Sequence, residues 1–290
     1  MIDFCHIAPT AYLNEFTKSN GAHLLLAHLV EEDEEYRNYY ANLDDGKFKI
    51  MDNSAFEMYK QGRPMYSTDD LLPMAKLCKA DMIVMSDYPG EAAQKTINAC
   101  LETAPIYKEA GYQTFFVPQS EIGDYEDYMY GMEWALNSDL VDRIGLSILG
   151  CPNAFGVEKD NKLQRYLSRW KILRDMEERG WLDDERAVNR FHCLGMVDGP
   201  NEVELLWPYA TNIATWDSSA AVWAGLNDIV FDNSPTGLID GKFEAEVNFN
   251  FSGYLPVDND RYVKYNVDYI NTLCNGYRPD VFTLKELTDD

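Results

Sequence analysis

Three aspartates sit where short apolar runs give way to polar turns. Asp52 follows KIM in KIMDNSAF, Asp87 closes MIVMSD, and Asp217 follows IATW in IATWDSSA at 213–220. Gln119 in TFFVPQ and Gly145 in RIGLS occupy the equivalent place in two more runs. Each run is short and rich in apolar, β-branched or aromatic residues, as a buried strand is, so the residue at its end faces whatever lies beyond the sheet. If the five strands are parallel neighbours, their carboxyl ends bring all five positions to one mouth, with Asp217 as the leading candidate for a nucleophile. Unpaired acids are costly to enclose, so three of them together imply a polar occupant. Two carboxylates about 5 Å apart suit a retaining displacement at an anomeric carbon: one attacks C1′ and a second group handles the proton of the leaving group. A Gln side chain and a Gly backbone N–H can bind a carbonyl oxygen, and Asp87 can accept from the N–H groups of a purine edge. Together these parts point to exchange of a base on a sugar.

Each position alone also has a structural reading. Asp52 before Asn53 and Ser54, and Asp87 before Tyr88-Pro89, fit ordinary Asx turns. Gln119 after Pro118 can cap a strand, and Asp217 before two serines can be the N-cap of the helix SAAVWAGL. His192 and Cys193 lie inside an apolar run and read as core or as support for a neighbour.

The elements that must carry these residues alternate. IDFCHIA (2–8) and AHLLLAHLV (22–30) read as the first two strands, followed by the acid-rich helix EEDEEYRNYYANL. KFKIM is a third strand, and Ser67 is a good N-cap for STDDLLPMAKLCKA, with two acids in its first turn. Strand MIVMSD precedes a helix from about 91 to 110 that stops at Gly111, and YQTFFVPQ precedes the helix DYEDYMYGMEWALNS. VDRIGLSIL, RFHCLGM and TNIATW complete eight strands. The helix at about 158–179, after the sixth strand, is the one concentrated basic element. Lys162, Arg165 and Arg169 share one side of it, opposite an apolar stripe of Leu163, Tyr166, Leu167, Trp170 and Leu173. That basic side is the best candidate for phosphate contacts, the alternative being a solvated face with internal ion pairs.

Eight strands separated by helices, with no glycine-rich nucleotide loop, favour an α/β fold of the closed (β/α)₈, TIM-like kind over a doubly wound sheet. Beyond about residue 227 the alternation stops. GKFEAEVNFNFSGYLP reads as a strand or hairpin and DNDRYVKYNVDYINTLCNG as a closing helix. The expectation is one domain over residues 1–290, with 227–290 as a C-terminal elaboration.

At 290 residues and a net charge of -24, the chain is poorly suited to gripping nucleic acid over a broad surface, and any polyanion needs a local basic patch. The six cysteines lack CxxC or CxC spacing and read as free thiols of a reducing compartment. No apolar run approaches the ~18 residues of a membrane span, and the N-terminus lacks a basic leader, which together predict a soluble, cytoplasmic protein without a membrane partner.

In order and spacing, the motifs resemble the tRNA-guanine transglycosylase superfamily, and more closely its compact phage relatives that place 7-deazaguanine bases in DNA. The likeness covers roughly residues 45–225. DNSAF at 52–56 is similar to the family's DSGGF segment, which implies that Asp52 is the acid near the reaction centre and that Phe56 stacks on the base. The resemblance further implies that Asp87 binds the purine N–H edge and that Gln119 and Gly145 hold the exocyclic oxygen. HCLGM at 192–196 looks like the family's HLLG strand, so that Leu194, Gly195 and Met196 line the base pocket, and WDSS places Asp217 as the nucleophile. Two departures matter. The zinc-holding CxCxxC and His of the tRNA enzymes have no counterpart, since only Cys274 and no His follow Asp217, so no metal and no other cofactor is expected. The basic C-terminal region is also missing, with only Lys242, Arg261, Lys264, Arg278 and Lys285 after Ser218. The expected partners are therefore DNA rather than tRNA, a 7-deazaguanine base, and a partner protein where the grip on nucleic acid has to be supplied. The location is the host cytoplasm if the chain is phage-encoded. A glycoside or nucleoside hydrolase on the same barrel, acting on a small substrate, is the alternative; a non-catalytic barrel that keeps the pocket is a third reading.

Overall fold

All eight expected strands form: β1 (Asp3–His6), β2 (His23–Leu26), β3 (Lys49–Asp52), β4 (Met82–Val84), β5 (Gln113–Phe116), β6 (Arg143–Ser147), β7 (Phe191–Leu194) and β8 (Ile213–Ser218). This computed structural model describes residues 1–196, 199–238 and 247–279. The strands make one parallel sheet in the order β1-β8-β7-β6-β5-β4-β3-β2. Only the step from β1 to β2 lacks a ladder among the described residues, and there the Gly21 N–H donates to Phe4 O at 2.9 Å, drawing the sheet nearly closed into a barrel. A Cβ at Gly21 would lie 2.7 Å from Asp3 Oδ1 and 2.8 Å from Asp3 Cα, so glycine is what lets the two strands approach. Helices follow most strands and pack outside them, which is the (β/α)₈ arrangement.

Burial explains why the strands read as they do. In β2 all four residues are buried, in β4 all three, and the sheet is covered on both faces, so these segments show continuous apolar runs rather than alternation. The second strand is shorter than expected: it ends at Leu26, opposite Asp52, and the helix Ala27–Glu32 begins at once. Its ladder partner β3 has run out at that point, and a short apolar run carries no periodicity to separate strand from helix. The basic stretch after β6 is two helices, Lys162–Tyr166 and Ser168–Glu178, broken at Leu167.

The closing helix is Val257–Cys274, buried along Tyr262, Val263, Asn266, Val267, Ile270 and Leu273. It crosses the helix Ala220–Leu226 so closely at Gly225 that a Cβ there would sit 2.4 Å from Val263 N. Asn266, fully buried, ties the two by donating to Ala221 O and Ile229 O and accepting from Phe231 N–H. Of the expected strand or hairpin at 241–256, residues 241–246 lie outside the described residues; residues 247–256 contain no strand. Phe249 O accepts from Thr10 N–H at 2.9 Å, which lays this segment over the carboxyl end of the barrel.

Candidate active site

Parallel strands in a closed sheet end at one face, and the residues anticipated from sequence arrive there. Asp52 is the last residue of β3, Asp217 lies next to last in β8, and Leu194 ends β7 just before Gly195 and Met196. Asp87 and Gln119 stand just past β4 and β5. All of them, with Phe56, line one cavity of about 1630 Å³. That is larger than the roughly 300–1,000 Å³ of a typical small-molecule pocket. Val247 and Phe249 contribute to its wall from the C-terminal segment.

Asp217 is not a helix cap. The N-cap of the helix Ala220–Leu226 is Ser219, and the Ser218 hydroxyl accepts from Ala220 N–H at 3.0 Å. Asp217 Oδ1 faces His192 Nε2 at 2.9 Å and accepts from Gly195 N–H at 3.2 Å, while His192 Nδ1 lies 2.6 Å from Thr215 Oγ1. A carboxylate only accepts, so His192 must carry its proton on Nε2 and take the Thr215 hydroxyl proton at Nδ1. Burial lowers the His192 pKa, outweighing the pull of Asp217, and keeps the ring neutral. Two donors thus fix one oxygen of Asp217. Oδ2 accepts no hydrogen bond among the described residues and is left to the cavity. Gly195 is itself held: its carbonyl accepts from Trp216 Nε1 and from Arg169 Nη1, each at 2.9 Å, and its φ is +72°.

On the opposite wall, Asp87 is buried and accepts from Asn53 Nδ2 at 2.8 Å and from Gln119 Nε2 at 2.6 Å. Burial raises its pKa to about 6 against the lowering effect of those two donors, so it is largely ionised at neutral pH. Because its amide nitrogen donates to Asp87, Gln119 turns Oε1 away from it, and that buried oxygen has no partner among the described residues. Gly150 leaves the room: a Cβ there would be 3.0 Å from Gln119 Oε1. The Gln119 side-chain amide has a second N–H beyond the one given to Asp87, and a donor is what the buried oxygen lacks.

Asp52 makes the Asx turn anticipated for it, accepting from Ser54 N–H at 2.9 Å, yet it also stands in the cavity wall. Its pKa is raised well above the carboxylate range, first by desolvation, then by the charges of Glu57 and Asp217. Glu57, half-buried in the same wall, is pushed up to about 7, chiefly by desolvation. Sequence reasoning missed Glu57 and Asn53. An acid in the first turn of the helix Ala55–Gln61 reads as a partner of the helix dipole, and Asn53 reads as turn chemistry. His28, also in the wall, was hidden inside the presumed second strand; its Nδ1 lies 2.9 Å from Ser54 Oγ.

Two expected contacts are corrected. Gly145 lies in the middle of β6, paired with His192, and does not reach the cavity. A Cβ there would fall 2.7 Å from Phe115 and 2.9 Å from Leu194, so the glycine makes room for packing below the pocket, and Ser147 takes the place at the wall. Arg169 is fully buried and cannot touch nucleic acid. It pairs with Glu202 at 3.1 Å, donates to Leu146 O and Gly195 O at 2.9 Å, and donates to Leu194 O. Its place on the buried stripe with Ile172, Leu173 and Met176 was the available signal. Lys162 and Arg165 do reach the mouth, joined by Lys60 and Lys159, with Glu158 and Asp160 among them.

Among the described residues, no group of three or more His, Cys, Asp or Glu is arranged to hold a metal ion. No helix there is long and apolar enough to cross a membrane, and all six cysteines are free and buried. No family model matches this chain, and no curated protein matches it.

Proposed function

We propose that the chain is a base-exchange transglycosylase that replaces guanine in a nucleic acid, DNA rather than tRNA, with a 7-deazaguanine base through a covalent intermediate on Asp217. The observation that carries this reading is the division of labour across one cavity. Asp217 has one oxygen pinned by His192 and Gly195 and the other open, and it shares the cavity with a carboxylate–amide pair, Asp87 and Gln119, that presents acceptors. Asp217 Oδ2 attacks C1′, the guanine leaves with the electrons of the C1′–N9 bond, and Asp52 gives it a proton. The incoming base returns a proton to Asp52, attacks C1′ and displaces the carboxylate, so configuration is retained over two inversions. Phe56, half-exposed at the wall, offers a face for stacking, and Leu194 and Met196 offer apolar contacts. The rim cations Lys60, Lys159, Lys162 and Arg165 are the local basic patch that a chain of charge -24 needs for a phosphate backbone.

The test is incorporation of labelled guanine or a labelled 7-deazaguanine into duplex DNA, single-stranded DNA or bulk tRNA by the purified chain. Label in DNA that disappears with Asp217→Ala is the expected result; label retained by that variant overturns the assignment. A hydrolase of nucleosides or glycosides uses the same carboxylates, and the acids Glu158 and Asp160 on the rim favour a small neutral substrate. Free base or sugar released with no deazapurine present, and no label in polymer, identifies that reading.

A further inference from the structure

Asp52 and Glu57 belong to one tight strand-to-helix turn. Asp52 ends β3, Ser54 reverses the chain at φ +53°, and Glu57 follows in the first turn of the helix Ala55–Gln61. Both carboxyls line the cavity, and neither is in an ion pair among the described residues. The groups facing Glu57 are Asp52 from β3, Asp217 from β8 and Lys60 one turn along its own helix; His28 and the rim residues Glu158, Lys159, Asp160, Lys162 and Arg165 complete the charged lining, with Asp87 across the cavity. Gln119, whose Oε1 has no partner among the described residues, lines the same cavity.

We propose that Asp52 and Glu57 act as a pair holding one proton, in which the ionised Glu57 keeps Asp52 in its acid form until the departing base takes that proton. Like charges sharing one enclosure cannot both ionise freely. Of the charges acting on Asp52, that of Glu57 is the strongest, ahead of Asp217 and Asp87, and all of them hold the proton on Asp52. Glu57 itself ionises near neutrality. Its use in base exchange rests on the reading above. In the first half-reaction the C1′–N9 bond breaks, a C1′–O bond to Asp217 forms, and the Asp52 proton moves to the base. In the second, the incoming base loses its N9 proton to Asp52, forms C1′–N9 and releases Asp217 as a carboxylate. Esterification removes the Asp217 charge at the moment Asp52 becomes an anion, so the number of negative charges in the cavity does not rise. Glu57 does not touch the reacting atoms; it is a positioning residue for a proton.

The test is the pH dependence of labelled guanine exchange into DNA for the wild type, Glu57→Gln and Glu57→Asp, across neutral and alkaline pH. Without the Glu57 charge, Asp52 loses its proton earlier, so the alkaline limb moves to lower pH by about one unit or more in Glu57→Gln. Glu57→Asp should move it back part of the way. An unshifted limb in Glu57→Gln overturns the proposal, as does a loss of rate that is uniform over pH. A carboxyl NMR titration of Asp52, with isotope-labelled aspartate, separates this from the fate of the reading above. A lower Asp52 midpoint in Glu57→Gln supports the pair even if wild-type protein exchanges no base; an unchanged midpoint sinks the pair even if exchange is robust.

Discussion

On the β6–β8 side of the mouth, Arg169 and Glu202 are both fully buried and bonded to each other, and Arg169 also spans three backbone carbonyls. Asp217 beside them has His192 and the Gly195 N–H. On the β3–β4 side, Asp52, Asp87 and Glu57 share a cavity wall and none of them is in an ion pair among the described residues. One side spends charge on geometry and the other leaves charge unneutralised. A buried pair with every guanidinium nitrogen bonded fixes backbone position, which is what the Gly195 N–H and the Asp217 carboxylate require. Enclosed carboxyls without cations are pushed above the ordinary carboxylate range, which is what proton transfer and donor recognition require.

The sharpest test of the geometric side is Asp217→Asn. The amide oxygen can still accept from His192 and Gly195, so unfolding temperature should change little, whereas exchange of labelled base should fall by at least ~10⁴-fold because the nucleophile is gone. Retention of both fold and rate would dissolve the distinction between the two sides. Arg169→Met addresses the brace. It leaves the Glu202 carboxylate buried without a cation and should cost about 3–5 kcal/mol in urea unfolding, while Arg169→Met with Glu202→Leu should recover most of that loss. A small loss in the single variant would mean that the pair is not what holds the β6 and β7 ends.

The acidic side predicts the opposite sign. Folding raises the pKa of Asp52, of Asp87 to about 6 and of Glu57 to about 7, so between the usual carboxylate range and those values the folded chain binds more protons than the unfolded one. Stability from these groups is present at acid pH and is lost as pH rises through that window. The buried histidines oppose this, since His6, His23, His28 and His192 are all held below their ordinary pKa and cost stability as pH falls. The difference between variants isolates the carboxyl. Asp52→Asn should raise the unfolding temperature near neutral pH, and the gain should shrink as pH falls and vanish below about pH 3, where the wild-type acid is protonated in both states. A site residue whose removal stabilises the fold while abolishing activity marks strain kept for function.

The barrel was legible because eight apolar runs separated by helical patterns leave few alternatives, and the strand ends bring Asp52, Asp87, Gln119 and Asp217 to one cavity. What failed has physical causes. Gly145 looked like a strand-end residue because a strand boundary is not visible inside RIGLS; β6 runs on to Ser147. Arg169 looked exposed because side was judged along one continuous helix, and the break at Leu167 turns it inward onto the Ile172 and Leu173 stripe. Glu57 was invisible because its significance comes first from enclosure in the cavity and then from Asp217, far away in sequence and near in space.

The smallest effects should come from the rim, and they decide whether the acidic side meets a polymer at all. Lys162 and Arg165 stand on the segment after β6, and Lys60 stands on the helix that also carries Phe56 and Glu57. Replacing any of them by Ala should alter stability by no more than about 1 kcal/mol, the scale of a contact near the surface. If they meet phosphates, each replacement should flatten the dependence of log binding constant on log salt by about 0.7–0.9 for DNA. Flattening by Lys162→Ala and Arg165→Ala but not by Lys60→Ala would run the backbone along the braced side alone and leave the helix 55–61 to the base. Flattening by all three would set the strand across the mouth, with Phe56 beneath it. No change in slope for any of them would remove the polymer and leave a cavity whose acids serve a small substrate.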